Sequence, residues 1–244
     1  MPLRVFLLIV FAVELVAQPP AKDSVFQRVC RWLGLKPDLY SRLATRGGDF
    51  EPAGERLMLC DLKAKRISPL WVCGECWSPI LLSEGMAAVA KSDGIWRVPL
   101  DGSPPTEILS ATNLGVLVGV SPTDSQQLLV LLVDGGGAST TYVPKLADLK
   151  SGKLAPAPSE LGGTYRTGDL AAFPRPDALR GDRLLSTSQD PPLRMFGATY
   201  MALPTPSLGD NEELLPWSPV KEGVEQFRPI WVGRDSIVFL ERGK

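Results

Sequence analysis

Cys73 and Cys76 stand in the run Cys73-Gly74-Glu75-Cys76, and this spacing is the chain's most direct pointer to chemistry. A Cys-x-x-Cys turn can hold a thiolate of lowered pKa and exchange disulfides. Redox-active versions sit after a strand at a helix N-terminus, whose dipole stabilises the thiolate. Here the flanks carry Trp71 and Trp77 and read as strand, which favours a structural disulfide over an exchange centre. Cys30 and Cys60 complete the 4 cysteines. As thiolate ligands the four meet only half of the usual zinc spacing, which leaves a metal site as the alternative. Among the possible pairings, Cys73 with Cys76 and Cys30 with Cys60 is expected, since the second bridge would tie an N-terminal helix to the first strand. No cofactor is implied.

Composition narrows the remaining chemistry. The chain has His 0, so neither a Ser-His-Asp nor a Cys-His nucleophile system can form, and His-bearing zinc sites and haem attachment at Cys-x-x-Cys-His are excluded with them. Carboxylates would have to carry any acid–base work. Glu212 with Glu213, or Asp93 with Asp101, are the candidates, but Asp93 and Asp101 each precede a glycine and read first as turn residues. Gly135-Gly136-Gly137 lacks a following lysine and helix, so it reads as a hairpin loop rather than a phosphate cradle. The 6 tryptophans are spread over separate stretches and read as packing residues rather than a stacking surface for sugars. Lys+Arg of 26 against Asp+Glu of 27 gives a net charge of -1, so no basic excess would condense on nucleic acid or an anionic membrane.

The elements that must position these residues begin after a segment, 1–17, that reads as a secretory signal peptide. Arg4 supplies its positive n-region, Val5 to Val13 an apolar run too short to span a bilayer, and Ala17 a cleavage point. An uncleaved anchor or a buried strand is the alternative. Export would place the mature chain in an oxidising compartment, periplasmic or secreted, with no integral membrane span, where cysteines are bridged rather than free. Over 18–54, a Pro-containing linker (Gln18 to Lys22) leads to a short helix capped by Asp23 or Ser24. Val25, Phe26, Val29, Trp32 and Leu33 fall near one face of it, and Gly34 and Pro37 stop it. A second short helix is expected around Leu39 to Ala44.

From Glu55 onward the apolar pattern has period 2. Strands are expected at Leu57–Leu62 and Arg66–Ser68, then at Trp71–Trp77, Met86–Lys91, Gly94–Leu100 and Thr106–Leu109. The tight-turn dipeptides Asp93-Gly94 and Asp101-Gly102 separate the last three. The order repeats as Leu114–Val120, Gln127–Val133, Thr141–Leu149 and Lys153–Ala155, and more loosely as Leu170–Phe173, Arg183–Thr187, Met195–Leu203 and Glu213–Leu215. Two closing strands, Phe227–Trp231 and Ser236–Leu240, supply the first half of a unit whose second half stands near the N-terminus. The Ser-Pro pairs at Ser78 and Ser121, and the outer-turn residues Leu62, Leu100 and Leu149, recur at the roughly 40–50-residue spacing of propeller blades. The implied fold class is all-β: a small β-propeller over 55–244 with four four-stranded blades, or five should residues 156–224 hold another. Pairing the N- and C-terminal strands would close the ring and remove its open edges.

The run Gly94-Ile-Trp-Arg-Val-Pro-Leu-Asp-Gly102, followed by Thr106-Glu-Ile-Leu109 and preceded by Trp77-Ser-Pro79, resembles the WD40-like PD40 repeat of TolB-type β-propellers. Leu114 to Leu154, and Arg228-Pro-Ile-Trp231 with Ile237-Val-Phe239, are similar in looser form. Ile80-Leu81 and Thr123-Asp124 follow the Ser-Pro pairs where the repeat has Asp-Gly. The resemblance spans 55–244 and implies a periplasmic or secreted scaffold that binds another protein and has no chemistry of its own. The residues leave two other function classes open. One is a propeller enzyme, exchanging disulfides at Cys73/Cys76 or hydrolysing with carboxylates as a hydrolase or lyase; the other is a carbohydrate-binding module.

Overall fold

The computed structural model describes residues 25–35, 53–64, 66–136, 140–166, 177, 179–180, 183–187, 200–204, 215–216, 224–233 and 235–243. The segment read as a signal peptide, the Leu39–Ala44 helix, the Leu170–Phe173 strand and Glu212 with Glu213 lie outside them. In chain order the elements are α1 (Val25–Trp32), β1 (Gly54–Asp61), β2 (Arg66–Ser83), β3 (Met86–Lys91), β4 (Gly94–Pro99), β5 (Thr106–Ser110), β6 (Leu114–Val120), β7 (Gln127–Asp134), β8 (Thr141–Asp148) and β9 (Lys153–Pro156). A 3-10 turn (Ser159–Leu161) follows, then β10 (Tyr165–Arg166), β11 (Leu179–Arg180), β12 (Arg183–Thr187), β13 (Tyr200–Pro204), β14 (Leu215–Pro216), β15 (Val224–Trp231) and β16 (Ser236–Gly243). The fold is all-β, and among the described residues α1 is the one α-helix.

Among the described residues every strand pairing is antiparallel. The largest sheet has 7 strands in the order β15-β16-β1-β2-β3-β4-β5. Its long member, β2, runs for 18 residues and changes partners on the way. Arg66 to Val72 lies against β1, whereas Trp77 to Ser83 lies against β3. Two separate strands, Arg66–Ser68 and Trp71–Trp77, were expected here; Pro69 does not break the chain because it stands opposite Met58 on an edge where no further strand needs its N–H. The β1–β16 register, Leu57 opposite Leu240 and Cys60 opposite Ile237, joins the N-terminal strand to the C-terminal one, as the half-units at the two ends imply. A second sheet carries β6-β7-β8, with β9 and β10 succeeding one another along the outer edge of β8, and a third has the order β11-β12-β13-β14. In that third sheet β11 takes the place beside β12.

Two local devices recur. The second strand of each well-described unit is apolar without alternation and wholly buried: Ala87 to Ala90 in β3, Leu128 to Leu131 in β7, Ile237 to Leu240 in β16. A strand covered on both faces needs no polar side, so period 2 gives way to a continuous run. The first strands β2 and β15 share a bulge at an aromatic-x-Pro-Ile step. Ser78 (φ 48) sits between Trp77 and Pro79, and Arg228 (φ 54) between Phe227 and Pro229, where each ladder slips. The proline cannot donate to the ladder, and the residue before it is displaced from ordinary strand geometry.

Three apolar clusters hold the sheets together. Leu57, Met58, Phe227, Trp231, Ile237 and Phe239 fill the first, on the sheet half that contains the chain-end pairing. Ile80, Ala88, Ile95, Leu117, Leu128 and Val130 fill the second, between the β2–β5 half and the β6–β8 sheet. Trp77 crosses that junction and donates its Nε1 proton to the Gly115 carbonyl at 2.6 Å. Val29 and Leu33 of α1 pack with Val118, Leu129, Leu131 and Tyr142 in the third. The helix stops where Gly34 (φ 68) lets Leu35 N–H reach Cys30 O at 2.8 Å and Gly34 N–H reach Arg31 O at 3.1 Å, the paired bonds of a glycine C-cap.

Candidate functional site

The crossover of β2 between its two partners brings the chemically marked residues together. Cys73 and Cys76 form a disulfide (S–S 2.00 Å, Cα–Cα 5.9 Å), and Gly74 between them takes φ +75 with open space around it. The bend stands within strand, and both cysteines are buried. The bridge therefore staples the crossover.

The expected Cys30–Cys60 bridge is corrected. Both cysteines are free and buried: Cys60 belongs to the cluster around Leu57 and Phe239, while Cys30 rides on α1, whose Val29 and Leu33 pack on the β6–β8 sheet. Burial raises each thiol from 9.0 to about 11, with the Asp61 charge adding to the rise at Cys60, so both are neutral and unreactive at neutral pH. The four sulfurs do not converge, and among the described residues no three His, Cys, Asp or Glu side chains group as a metal site.

Beside the staple, the fold assembles a cluster that spacing does not reveal. Trp71 on β2 and Trp96 on β4 lie with ring centroids 5.4 Å apart, tilted by 38°. Lys91, at the end of β3, places its ammonium 5.2 Å from the Trp71 centroid and 5.0 Å from that of Trp96. Asp93, in the β3–β4 turn, completes the group: its Oδ1 accepts the Trp96 Nε1 proton at 2.9 Å and its Oδ2 lies 3.9 Å from Lys91 Nζ. Trp71 lies in the part of β2 that pairs with β1 and Trp96 in the β3–β4–β5 ladder, so the two indoles pack across neighbouring units. The indole faces brought together are those over which Lys91 sits, so the cluster locks a hairpin to the crossover.

Of the candidate carboxylates, the described pair, Asp93 and Asp101, does not converge. Asp93 and Asp101 sit at opposite ends of β4, a strand of 6 residues, roughly 20 Å apart at the usual strand rise. Asp101 accepts the Ser103 N–H at 2.9 Å, and that bond holds its carboxyl below the usual range. Asp148, which the sequence reading passed over, does the same in the β8–β9 turn, accepting Ser151 N–H at 2.7 Å and Lys150 N–H at 2.9 Å. All three act in turns. One carboxylate is different: Glu241 is 2% exposed, as is Gln226. The register sets Gln226 and Arg56 on either side of it, with Gln226 Nε2 at 3.5 Å and Arg56 Nε at 3.6 Å. Three residues 15 or more positions apart along the chain had no local signal to mark them as partners. Set between an amide and a guanidinium, this carboxylate fastens the seam between β15, β16 and β1.

Compared with protein-family profiles and with curated proteins, the chain matches none. Among the described residues no helix is long and apolar enough to cross a membrane.

Proposed function

We propose that the chain is an exported, non-catalytic β-propeller of four blades, of the TolB-like kind, that binds another protein through the loops at one end of its ring. The observation that carries this reading is the joining of β15-β16 to β1 and the first part of β2 in one four-stranded unit. Counted with β2–β5, β6–β9 and β11–β14, it makes four units of four strands. The contacts between units support the same reading. The first strands of three successive units pack on one another, β15 on β2 and β2 on β6, and β15 also meets β11, β12 and β13 of the remaining unit, an arrangement that fits blades set around a central axis. The Cys73–Cys76 bridge supports an oxidising compartment. The absence of converging acids, bases or nucleophiles among the described residues leaves binding as the reading that the geometry favours.

The test of function is cross-linking and co-purification of the native, oxidised protein from its own envelope. One or a few partners recovered in stoichiometric amount, together with no insulin-reducing activity, is the expected result. Insulin reduction that disappears in Cys73→Ser would establish the enzyme instead. For the ring, a small-angle scattering profile of an elongated chain of sheets rather than a compact disc would overturn the four-blade reading.

A further inference from the structure

We propose that the Cys73–Cys76 bridge is a redox latch: its reduction by a dithiol opens one end of the seam between β1 and β16 while the rest of the fold stays intact. The strand register carries this reading. Arg56 of β1 stands opposite Val72 of β2, and Gly54 stands opposite Cys76. Two steps along β1 therefore match four along β2, and the surplus residues leave the ladder as a bulge. The bridge joins the two ends of that bulge, and so sets where β2 resumes its pairing with Gly54.

The tip of the bulge stands clear of the protein. Gly74 and Glu75 are exposed, and a Cβ added at Gly74 would meet nothing within 4 Å. Cys73, at 7% against 0% for Cys76, is the more exposed of the bridged pair. On its inner side the bulge abuts the seam. Cys73 Sγ lies 3.6 Å from the Gly54 carbonyl oxygen. Gly54 is pressed against β16, where a Cβ would come within 2.9 Å of Leu240 Cβ. Arg56, the last residue before the register slips, faces Glu241 across the β1–β16 ladder, with its Nε 3.6 Å from the buried carboxylate. Displacing β1 between Gly54 and Arg56 therefore frees the pairing that keeps Glu241 from water. The stabilisation that a cross-link confers through the unfolded chain grows with the length of the loop it closes. A sequence separation of 3 keeps that contribution small, so loss of the bridge acts at the bulge rather than on the whole fold.

In the first step a thiolate of the dithiol attacks Cys73 Sγ; the S–S bond breaks, and Cys76 leaves as a thiolate that takes up a proton. The second thiol then displaces Cys73 Sγ from the mixed disulfide, closing the reductant's own S–S bond, and Cys73 takes up the other proton. Two electrons and two protons pass to the protein, and the two sulfurs are free to part.

The experiment uses the full oxidised chain and dithiothreitol as the dithiol. After reduction under native conditions, iodoacetamide should label Cys73 and Cys76 and leave Cys30 and Cys60 unlabelled, which reports that the core is still closed. Hydrogen exchange read by mass spectrometry should then run about tenfold faster at Glu55, Arg56 and Glu241 to Gly243, and stay unchanged across β7 and β8. Cys73→Ser/Cys76→Ser should exchange like the reduced protein and ignore dithiothreitol. Should that variant fail to fold, labelling and exchange of the wild type decide the matter by themselves. Labelling of Cys30 and Cys60 in step with Cys73 and Cys76 would mean that the bridge opens only with the whole molecule, and overturns the latch. So does reduction of the bridge with seam exchange unchanged, and so does a bridge that dithiothreitol leaves intact in the folded protein.

Discussion

Two buried thiols make the stability of this protein sensitive to alkali. Cys30 and Cys60 ionise near 9.0 when unfolded and near about 11 in the fold. Their contribution is therefore whole below pH 9 and is lost as pH rises through 11. Urea midpoints should fall across that window, and the Cys30→Ala/Cys60→Ala variant should show a flatter decline; parallel declines would refute the assignment. The same two thiols should resist alkylation until the chain unfolds, while Cys73 and Cys76 should become reactive only after reduction, a pattern read by mass spectrometry. Glu241 is the other residue on which much depends. Glu241→Leu removes the acceptor that Gln226 and Arg56 face and should cost about 2 kcal/mol, with Glu241→Gln costing less. An unchanged denaturation midpoint in Glu241→Leu would show that the seam does not use the carboxylate.

Hairpins are where local chemistry and sheet geometry can be separated. Asp93-Gly94 reads from sequence as a tight-turn dipeptide, and the turn is there, but Gly94 is not one of the positive-φ glycines. It is required for closeness instead: a Cβ would stand 2.2 Å from the Leu109 carbonyl oxygen across the β4–β5 ladder. Gly94→Ala should therefore destabilise by about 3 kcal/mol or more. Gly85, with φ +81 and nothing near its Cβ position, should cost only the strain of a left-handed alanine, about 1–2 kcal/mol. Equal losses at the two positions in chemical denaturation would contradict this division. Most of the strands were legible because an alternating or fully apolar run between turn residues is a local property. β3 begins and ends at Met86 and Lys91 and β6 at Leu114 and Val120, as the pattern predicts. The passage of β2 through Pro69 and Ser78-Pro79 was not legible, because whether a proline ends a strand depends on whether its missing N–H faces a neighbour.

The joining of the two chain ends is the feature on which the whole molecule rests. Deleting Ser236–Gly243 takes from β1 and from β15 the strand between them and exposes the cluster that contains Leu57, Met58 and Phe227. The shortened chain should lose its cooperative thermal transition, followed by circular dichroism; a preserved sharp transition would show that the remaining sheets fold without the seam. Sequence alone determined what neighbouring residues decide between themselves: an all-β chain, its turns, the glycine stop of α1 and the complementary half-units at the two ends. Tertiary structure alone decided which distant side chains meet. The Trp71–Trp96–Lys91 cluster, the Gln226–Glu241–Arg56 group and the separation of Cys30 from Cys60 all follow from register, from the crossover of β2 and from the sheet on which α1 comes to rest. Those are settled by burial across the whole core, and no stretch of a few residues carries them.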